Sequence, residues 1–392
     1  MKKILNIGIK TDVSVRFQTQ IRDVKTGRVV KASPWQKNLF LDIGLNGLAQ
    51  DSSQSLRSCP ATCGLQCLIG DGTNPNSFAS GAVTFTQSTT TITASANFFT
   101  SAMVGAIFKY GTGTAGAEYY ITSFTDAQHV VVDTSATVGT PTVATVWMVQ
   151  QTTLQNQLFT SSTYQINSNG STISTNTITH QRTFVFAHQI ISYNVNEVGW
   201  NPGSTTNLVG RAVLGSTDVV APTQFYVVVL QMTFTYNPGS PTAVTDVGTG
   251  INVAGNAMVE WFATRRINSS GGAPVQDAPF DGTTFGGGVI RLATTTYTQN
   301  SAPQNTNSLT FATDINLGST GFNFVAASRG VMESIVSASI TTAGETAFGV
   351  ALCGDALHPA FDVKLTTPFV LPTGAFVPTV TFRSTYGRIL TN

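Results

Sequence analysis

The chain has 392 residues, and only 10% of them are Asp, Glu, Lys or Arg, against roughly 25% in ordinary soluble domains. The apolar fraction is 41%, so disorder by the high-charge, low-hydrophobicity route is excluded, and so is a long coiled coil, which needs about half A/E/K/L/R. A net charge of +1 supplies no field to steer nucleic acid or an anionic membrane. With 60 Thr and 32 Ser, the surface has to be built from hydroxyls, amides and glycine.

Strand signals dominate from the start. Val13, Val15, Phe17 and Thr19 alternate with polar residues, and a Lys25-Thr26-Gly27 turn leads into Val29-Val30. That pattern predicts a hairpin. Phe40 to Gln50 is the one stretch that reads as a helix, and a short one. Residues 51–81 read as loop, carrying Cys59, Cys63 and Cys67 and then Ile69-Gly70-Asp71-Gly72-Thr73.

Residues 82–150 read as a Thr-rich β module. Val83 and Phe85 alternate with Thr84 and Thr86, a turn is expected at Gln87 to Thr90, and strands follow at Glu118–Ser123, His129–Asp133 and Thr142–Gln150. From Ser135 to Gln181 there is no Asp, Glu, Lys or Arg. Its second half fits either a flexible linker or polar strands stacked between subunits.

Residues 151–240 read as a β-sandwich unit, with Phe184–Tyr193, Glu197–Trp200, Leu208–Leu214 and Pro222–Tyr236 as its strands. Residues 241–392 read as a second one after a glycine-rich start. At an offset of 150 residues Pro222-Thr223 matches Pro372-Thr373, Tyr226-Val227 matches Phe376-Val377, and Thr235-Tyr236 matches Thr385-Tyr386. The second unit is thus a candidate duplicate of the first. The expected class is all-β: several antiparallel sandwich-like units and one short N-terminal helix.

No apolar run approaches the roughly 18 residues of a membrane span; the densest, Tyr226 to Leu230, is strand-sized. The apolar stretch after Lys2-Lys3 stops at Ile9, shorter than a secretory h-region, so no signal peptide is expected. Cys59, Cys63 and Cys67 are spaced by four. They converge on a metal only if Cys353, His129 or His358 comes near; a local disulfide or plain small thiols are the other readings. His129, His180, His188 and His358 lack a neighbouring carboxylate at ligand spacing. Neither Gly70-Asp71-Gly72-Thr73 nor Gly111-Thr112-Gly113-Thr114 has the phosphate-loop pattern, and no G-x-S-x-G is present. Glu118, Glu197, Glu260, Glu333 and Glu345 stand isolated, with no carboxylate pair signposted. Trp35, Trp147, Trp200 and Trp261 read as core before they read as sugar platforms. No catalytic, cofactor-binding or metal-ligating residue is therefore expected, and no enzymatic activity.

Several segments carry a resemblance. They are Val24-Lys25-Thr26-Gly27-Arg28 followed by Asn38-Leu39-Phe40-Leu41-Asp42-Ile43-Gly44-Leu45-Asn46, the Gly70-Asp71-Gly72-Thr73 turn, the Ala82–Trp147 insert, Arg182–Phe186, Asn196-Glu197-Val198-Gly199-Trp200, Leu208–Leu214, and the closing Thr379–Phe382 with Tyr386-Gly387-Arg388. Together they resemble the structural proteins of tailed-bacteriophage virions. The resemblance covers about 60% of the chain and carries no catalytic residue; the three cysteines depart from it. It implies a virion component of the tail, fibre, baseplate or adaptor type, assembled in the host cytoplasm, whose partners are copies of itself and other virion proteins.

A host-surface glycan receptor-binding protein and a capsid decoration protein are the alternatives. Nine of the 20 Lys and Arg lie in the first 40 residues. This places an expected docking region in residues 1–81, with Arg16, Arg22, Lys25, Arg28, Lys31 and Lys37 as its contact residues.

Overall fold

The computed structural model describes residues 4–49, 66–110, 118–162, 170–173, 177–201 and 207–237. Beyond these it describes 244–247, 255–258, 289–294, 314–316, 321–328, 331–339, 346–353, 359–370, 379–388 and 390. Everything structural below refers to these residues. Cys59, Cys63, Trp261, His358, Glu260 and Glu345 lie outside them.

The chain is all-β, with one short α-helix, Asp42–Ala49, inside the stretch where a helix was expected. Its organising element is the 20-residue strand Ile4–Asp23. Residues Val13, Val15, Phe17, Thr19 and Ile21 are buried and the residues between them face outward, as a period of two requires. One edge of this spine pairs antiparallel with Gln224–Asn237 over fourteen positions, from Lys10↔Asn237 to Asp23↔Gln224. Its other edge is shared by three strands in succession. Thr379–Arg388 pairs with it in parallel from Ile4↔Thr379 to Val13↔Arg388. Gln36–Phe40 then takes Val15 to Phe17, and Val29–Ala32 takes Gln20 to Arg22 as the expected hairpin.

The largest sheet runs on through Gly210–Val220, Tyr193–Asn201, Gln66–Gly70 and Gln157–Ser161 on one side and Thr177–Val185 and Gly170–Ile173 on the other. It therefore draws strands from residues 1–81, 151–240 and 241–392 alike. In the segments that repeat at an offset of 150, Thr235 sits opposite Asp12 in an antiparallel pair and Thr385 opposite Lys10 in a parallel one. The uncharged stretch contributes strands at both its ends, Ala144–Trp147 and Thr177–Val185, with Gln157–Ser161 and Gly170–Ile173 between.

Sequence patterning missed the strand Gln66–Gly70, which falls where a loop was expected. Only Cys67, Leu68 and Ile69 are apolar, too short a run to register. Long-range pairing makes it a strand, because it lies between Tyr193–Asn201 and Gln157–Ser161, and Cys67 to Gly70 are all buried.

The Thr-rich module folds as its own six-stranded sheet, in the order Ser77–Ala79, Ala144–Trp147, Ile107–Tyr110, Glu118–Asp126, His129–Thr142, Phe85–Ala94. Its core centres on Phe85, which is fully buried. Phe98 and Phe108 meet it edge-to-face at 5.1 and 5.0 Å, and Phe99 at 5.6 Å. Where a turn was expected at Gln87 to Thr90, the strand Phe85–Ala94 runs straight through. Its register with His129–Thr142 shifts between Phe85 and Gln87 and again between Thr89 and Thr91. Thr89 has φ +53°, so the turn-like residues make a bulge.

A β-branched residue is strained at that φ. Thr89→Gly is expected to raise the unfolding free energy by about 1 kcal/mol, read by thermal or urea unfolding. Destabilisation would contradict the strain.

Candidate functional site

Three buried polar knots tie the sheet together. In the first, Arg211 uses every donor of its guanidinium. Nε and Nη2 donate to Glu197 Oε2 at 3.0 and 2.7 Å, Nη1 to Asn76 Oδ1 and Gln151 Oε1 at 2.8 and 2.6 Å, and Nη2 to the Asn74 carbonyl at 3.0 Å. Glu197 also accepts from the amides of Gln155 and Asn156 at 3.1 and 2.9 Å. Both charged side chains are at most 2% exposed. The Gly70-Asp71-Gly72 turn is glycine-rich because a Cβ on Gly70 or Gly72 would stand 2.7 or 2.5 Å from Glu197 Oε1. Gly210 has a similar cause, since a Cβ there would overlap the Trp200 indole.

In the second knot, Asp42 at the start of the helix accepts from the Tyr120 hydroxyl and from Gln150 Nε2 at 3.0 Å. Arg388 Nη2 lies 2.9 Å from its other oxygen, close but poorly aligned, since neither atom completes a hydrogen bond there. Arg388 Nη1 donates to the Phe40 carbonyl at 2.7 Å. This knot joins the helix, the Thr-rich module and the C-terminal strand.

In the third, Asp218 accepts from Thr19, Tyr226 and Lys31 at 2.8, 2.7 and 2.7 Å. In the first and third knots both carboxylate oxygens accept from donors on other strands and loops, so the arrangement staples elements together; in the second, one Asp42 oxygen completes no hydrogen bond.

The six expected docking residues divide into three places. Arg16 and Lys37 are in register on the outward face. There Arg16 Nε donates to Gln231 Oε1 at 2.7 Å, and its guanidinium lies 4.7 Å from the half-exposed Trp35 ring. Arg22, Lys25 and Arg28 lie at the hairpin end, six residues or more along the chain from Arg16, roughly 20 Å at the rise of a strand. Lys31 is opposite the buried Ile21. Its ammonium pairs with Asp218 at 2.7 Å while its side chain stays 47% exposed.

The hairpin end gathers three segments. The Val24 amide donates to the Thr223 carbonyl at 2.9 Å, the His188 ring contacts the Pro222 carbonyl, and Tyr193 and Asn194 pair with Val220 and Val219. Six apolar residues are exposed on it: Val24 42%, Val29 49%, Val30 57%, Ile190 85%, Ile191 66% and Val219 58%. Arg22, Lys25 and Arg28 lie at the same end, together with Asp23, whose carboxylate accepts from the Thr26 hydroxyl and amide at 2.8 Å each. Those two bonds hold the Asp23 carboxyl below its ordinary range. Sequence reasoning found the charges here and missed the apolar residues, because Ile190-Ile191 reads as a continuation of the Phe184 strand. The His188-Gln189 interruption was the available signal.

A groove of about 910 Å³ opens beside the spine, where Gln36–Phe40 diverges from Gly210–Val220. Val15, Phe40, Trp147, Val213 and Leu390 wall it, and no carboxylate, histidine or cysteine lines it. Among the described residues no three His, Cys, Asp or Glu side chains come together as metal ligands. Cys67 is a free, buried thiol, and burial pushes its ionisation far above the ordinary thiol range. His129 contacts Asp126 at 2.8 Å on an exposed turn.

No family model, curated protein or solved structure matches the chain. The site therefore has to be read from its own geometry. No described helix is long and apolar enough to cross a membrane.

Three buried phenols set an alkaline limit, and burial raises Tyr110 above the ordinary value. Burial pushes the Tyr193 hydroxyl up to about 12. Burial first, and then the charge of Asp218, hold Tyr226 well above the ordinary value. Unfolded tyrosines ionise near pH ~10, so the unfolded chain loses these protons first and stability falls as pH rises beyond that point. Tm is expected to drop above pH ~10. The Tyr193 hydroxyl has no hydrogen-bond partner, so Tyr193→Phe should make the alkaline drop shallower without lowering Tm at neutral pH. A steeper drop in the variant would contradict the assignment.

Proposed function

We propose that this chain is a structural component of a tailed-phage particle, in the tail, fibre, baseplate or adaptor, which works by oligomerising and docking to neighbouring virion proteins. The observation that carries this reading is the Arg211–Glu197 knot. The segments that resemble phage virion proteins are far apart in sequence: Gly70-Asp71-Gly72-Thr73, Asn196-Glu197-Val198-Gly199-Trp200 and Leu208–Leu214. In the fold they touch, each supplying part of one buried hydrogen-bonded unit.

Surface chemistry supports the same reading. A coat of Thr, Ser, Asn and Gly can be covered by neighbouring subunits without the desolvation cost of unpaired charges, which is several kcal/mol each. Contacts of that kind are little affected by salt.

Light scattering on the purified full chain tests the reading. The expected result is a discrete homo-oligomer whose mass is insensitive to salt. A chain that stays monomeric at every accessible concentration would overturn it.

A further inference from the structure

We propose that the groove beside the spine takes an extended acidic segment of a neighbouring protein as an added strand; this rests on the assembly reading above and gives one docking contact a place. The ladder between Gln36–Phe40 and Gly210–Val220 has only two pairs, Phe40↔Gly210 and Leu39↔Arg211. It stops before Asn38 and Lys37 would meet Ala212 and Val213, and those four residues line the groove. On their other edges they are already in ladders, Asn38 and Lys37 with the spine and Ala212 and Val213 with Tyr193–Asn201. Among the described residues no third strand enters between them. Two strand edges thus part around one opening, and an open edge is a template for another strand.

The wall carries the matching chemistry. Asn38 is 7% exposed and stands opposite Val15, so the two share a face. Neither its Oδ1 nor its Nδ2 has a hydrogen-bond partner, and Arg388 Nε in the same wall has none either. A side-chain amide with both groups unmet is complementary to a peptide unit, which offers one donor and one acceptor. The wall also has two sides. Val13 and Val15 point inward and are buried, whereas Arg16 points outward in register with Lys37. No carboxylate is among the described wall residues. A strand alternates in the same way, so a segment with apolar residues at one parity and acids at the other fits both sides. This chain does not itself supply such a segment. Its closest acids, Asp277 and Asp281, are four residues apart with Pro279 between them, and proline lacks the N–H that a ladder needs.

Fluorescence anisotropy of labelled heptapeptides titrated with the full chain tests the proposal. The probes are Thr-Val-Glu-Val-Glu-Val-Thr, its lysine counterpart Thr-Val-Lys-Val-Lys-Val-Thr, and the glutamate peptide with N-methylated backbone amides. The glutamate peptide is expected to bind, and the other two to bind at least about tenfold more weakly. Lys37→Glu, at an exposed position, should weaken the glutamate peptide at low ionic strength and less at high. Asn38→Leu should weaken it about tenfold while leaving the free chain as stable or more stable, because a buried amide without partners is removed. Circular dichroism and thermal unfolding check that both variants fold. No binding of the glutamate peptide at about 1 mM, or equal binding of all three peptides, would overturn the groove assignment and leave the assembly reading to its own test. A chain that binds the glutamate peptide selectively but stays monomeric would support this contact and overturn the homo-oligomer.

Discussion

Arg211→Met is expected to lower the unfolding free energy by about 3–5 kcal/mol, the usual cost of removing one partner of a buried ion pair. The size follows from what the substitution leaves behind. Glu197 is fully buried and would keep only the Gln155 and Asn156 amides as donors. Asn76 Oδ1, Gln151 Oε1 and the Asn74 carbonyl would lose their shared donor at the same moment. Because these groups belong to the loops that connect the Thr-rich module to the main sheet, the loss should also loosen that junction.

Urea unfolding of the variant reads the effect, and a change below about 1 kcal/mol would show that the pair is not buried as described. Replacing both charges, with Glu197→Leu added to Arg211→Met, should recover part of the loss, since an uncharged pair leaves no stranded carboxylate. Failure to recover any of it would place the energy in the loop contacts rather than in the ion pair.

Phe85→Ala is expected to cost about 3–5 kcal/mol, the range for truncating a buried phenylalanine. Phe85 contacts three other phenylalanines at 5.0–5.6 Å, so the cavity would form at the centre of the module. Each such aromatic pair contributes about 0.5–1.5 kcal/mol beyond burial. The module has its own sheet and core but meets the rest through Ile107, Tyr120 and Trp147, which pack with Leu41, Leu208 and Leu390. Hydrogen exchange should therefore speed up first in Phe85–Ala94 and Ile107–Tyr110, while Val13 to Asp23 and Gln224–Asn237 keep their protection. Equal acceleration throughout would mean that the module has no separate core.

Local patterning made the elements legible. The period-two alternation from Val13 to Ile21, the hairpin turn after it and the single helix near Asp42 could be read directly, because each depends on neighbours within a few residues. Long-range pairing could not be read. Nothing at Thr379–Arg388 announces a parallel partner at Ile4, and the three apolar residues of Gln66–Gly70 become a strand only because two others flank them. A list of basic residues does not reveal that Lys31 pairs with Asp218, which lies far away in the sequence. Glu197 and Arg211 looked like isolated charges. Their signal lay in the glycines at 70 and 72, which mark close approach of backbone to the Glu197 side chain. The hairpin end was hidden for a related reason: Ile190 and Ile191 look like core residues until the strand is seen to stop at Val185.

We propose that this neutral, hydroxyl-coated chain is covered by copies of itself and its neighbours in a particle. Locating it in an electron-microscopy map of the purified tailed particle tests that most directly. The expected result is repeated, symmetry-related copies in the tail. A particle that lacks the chain altogether would contradict the account.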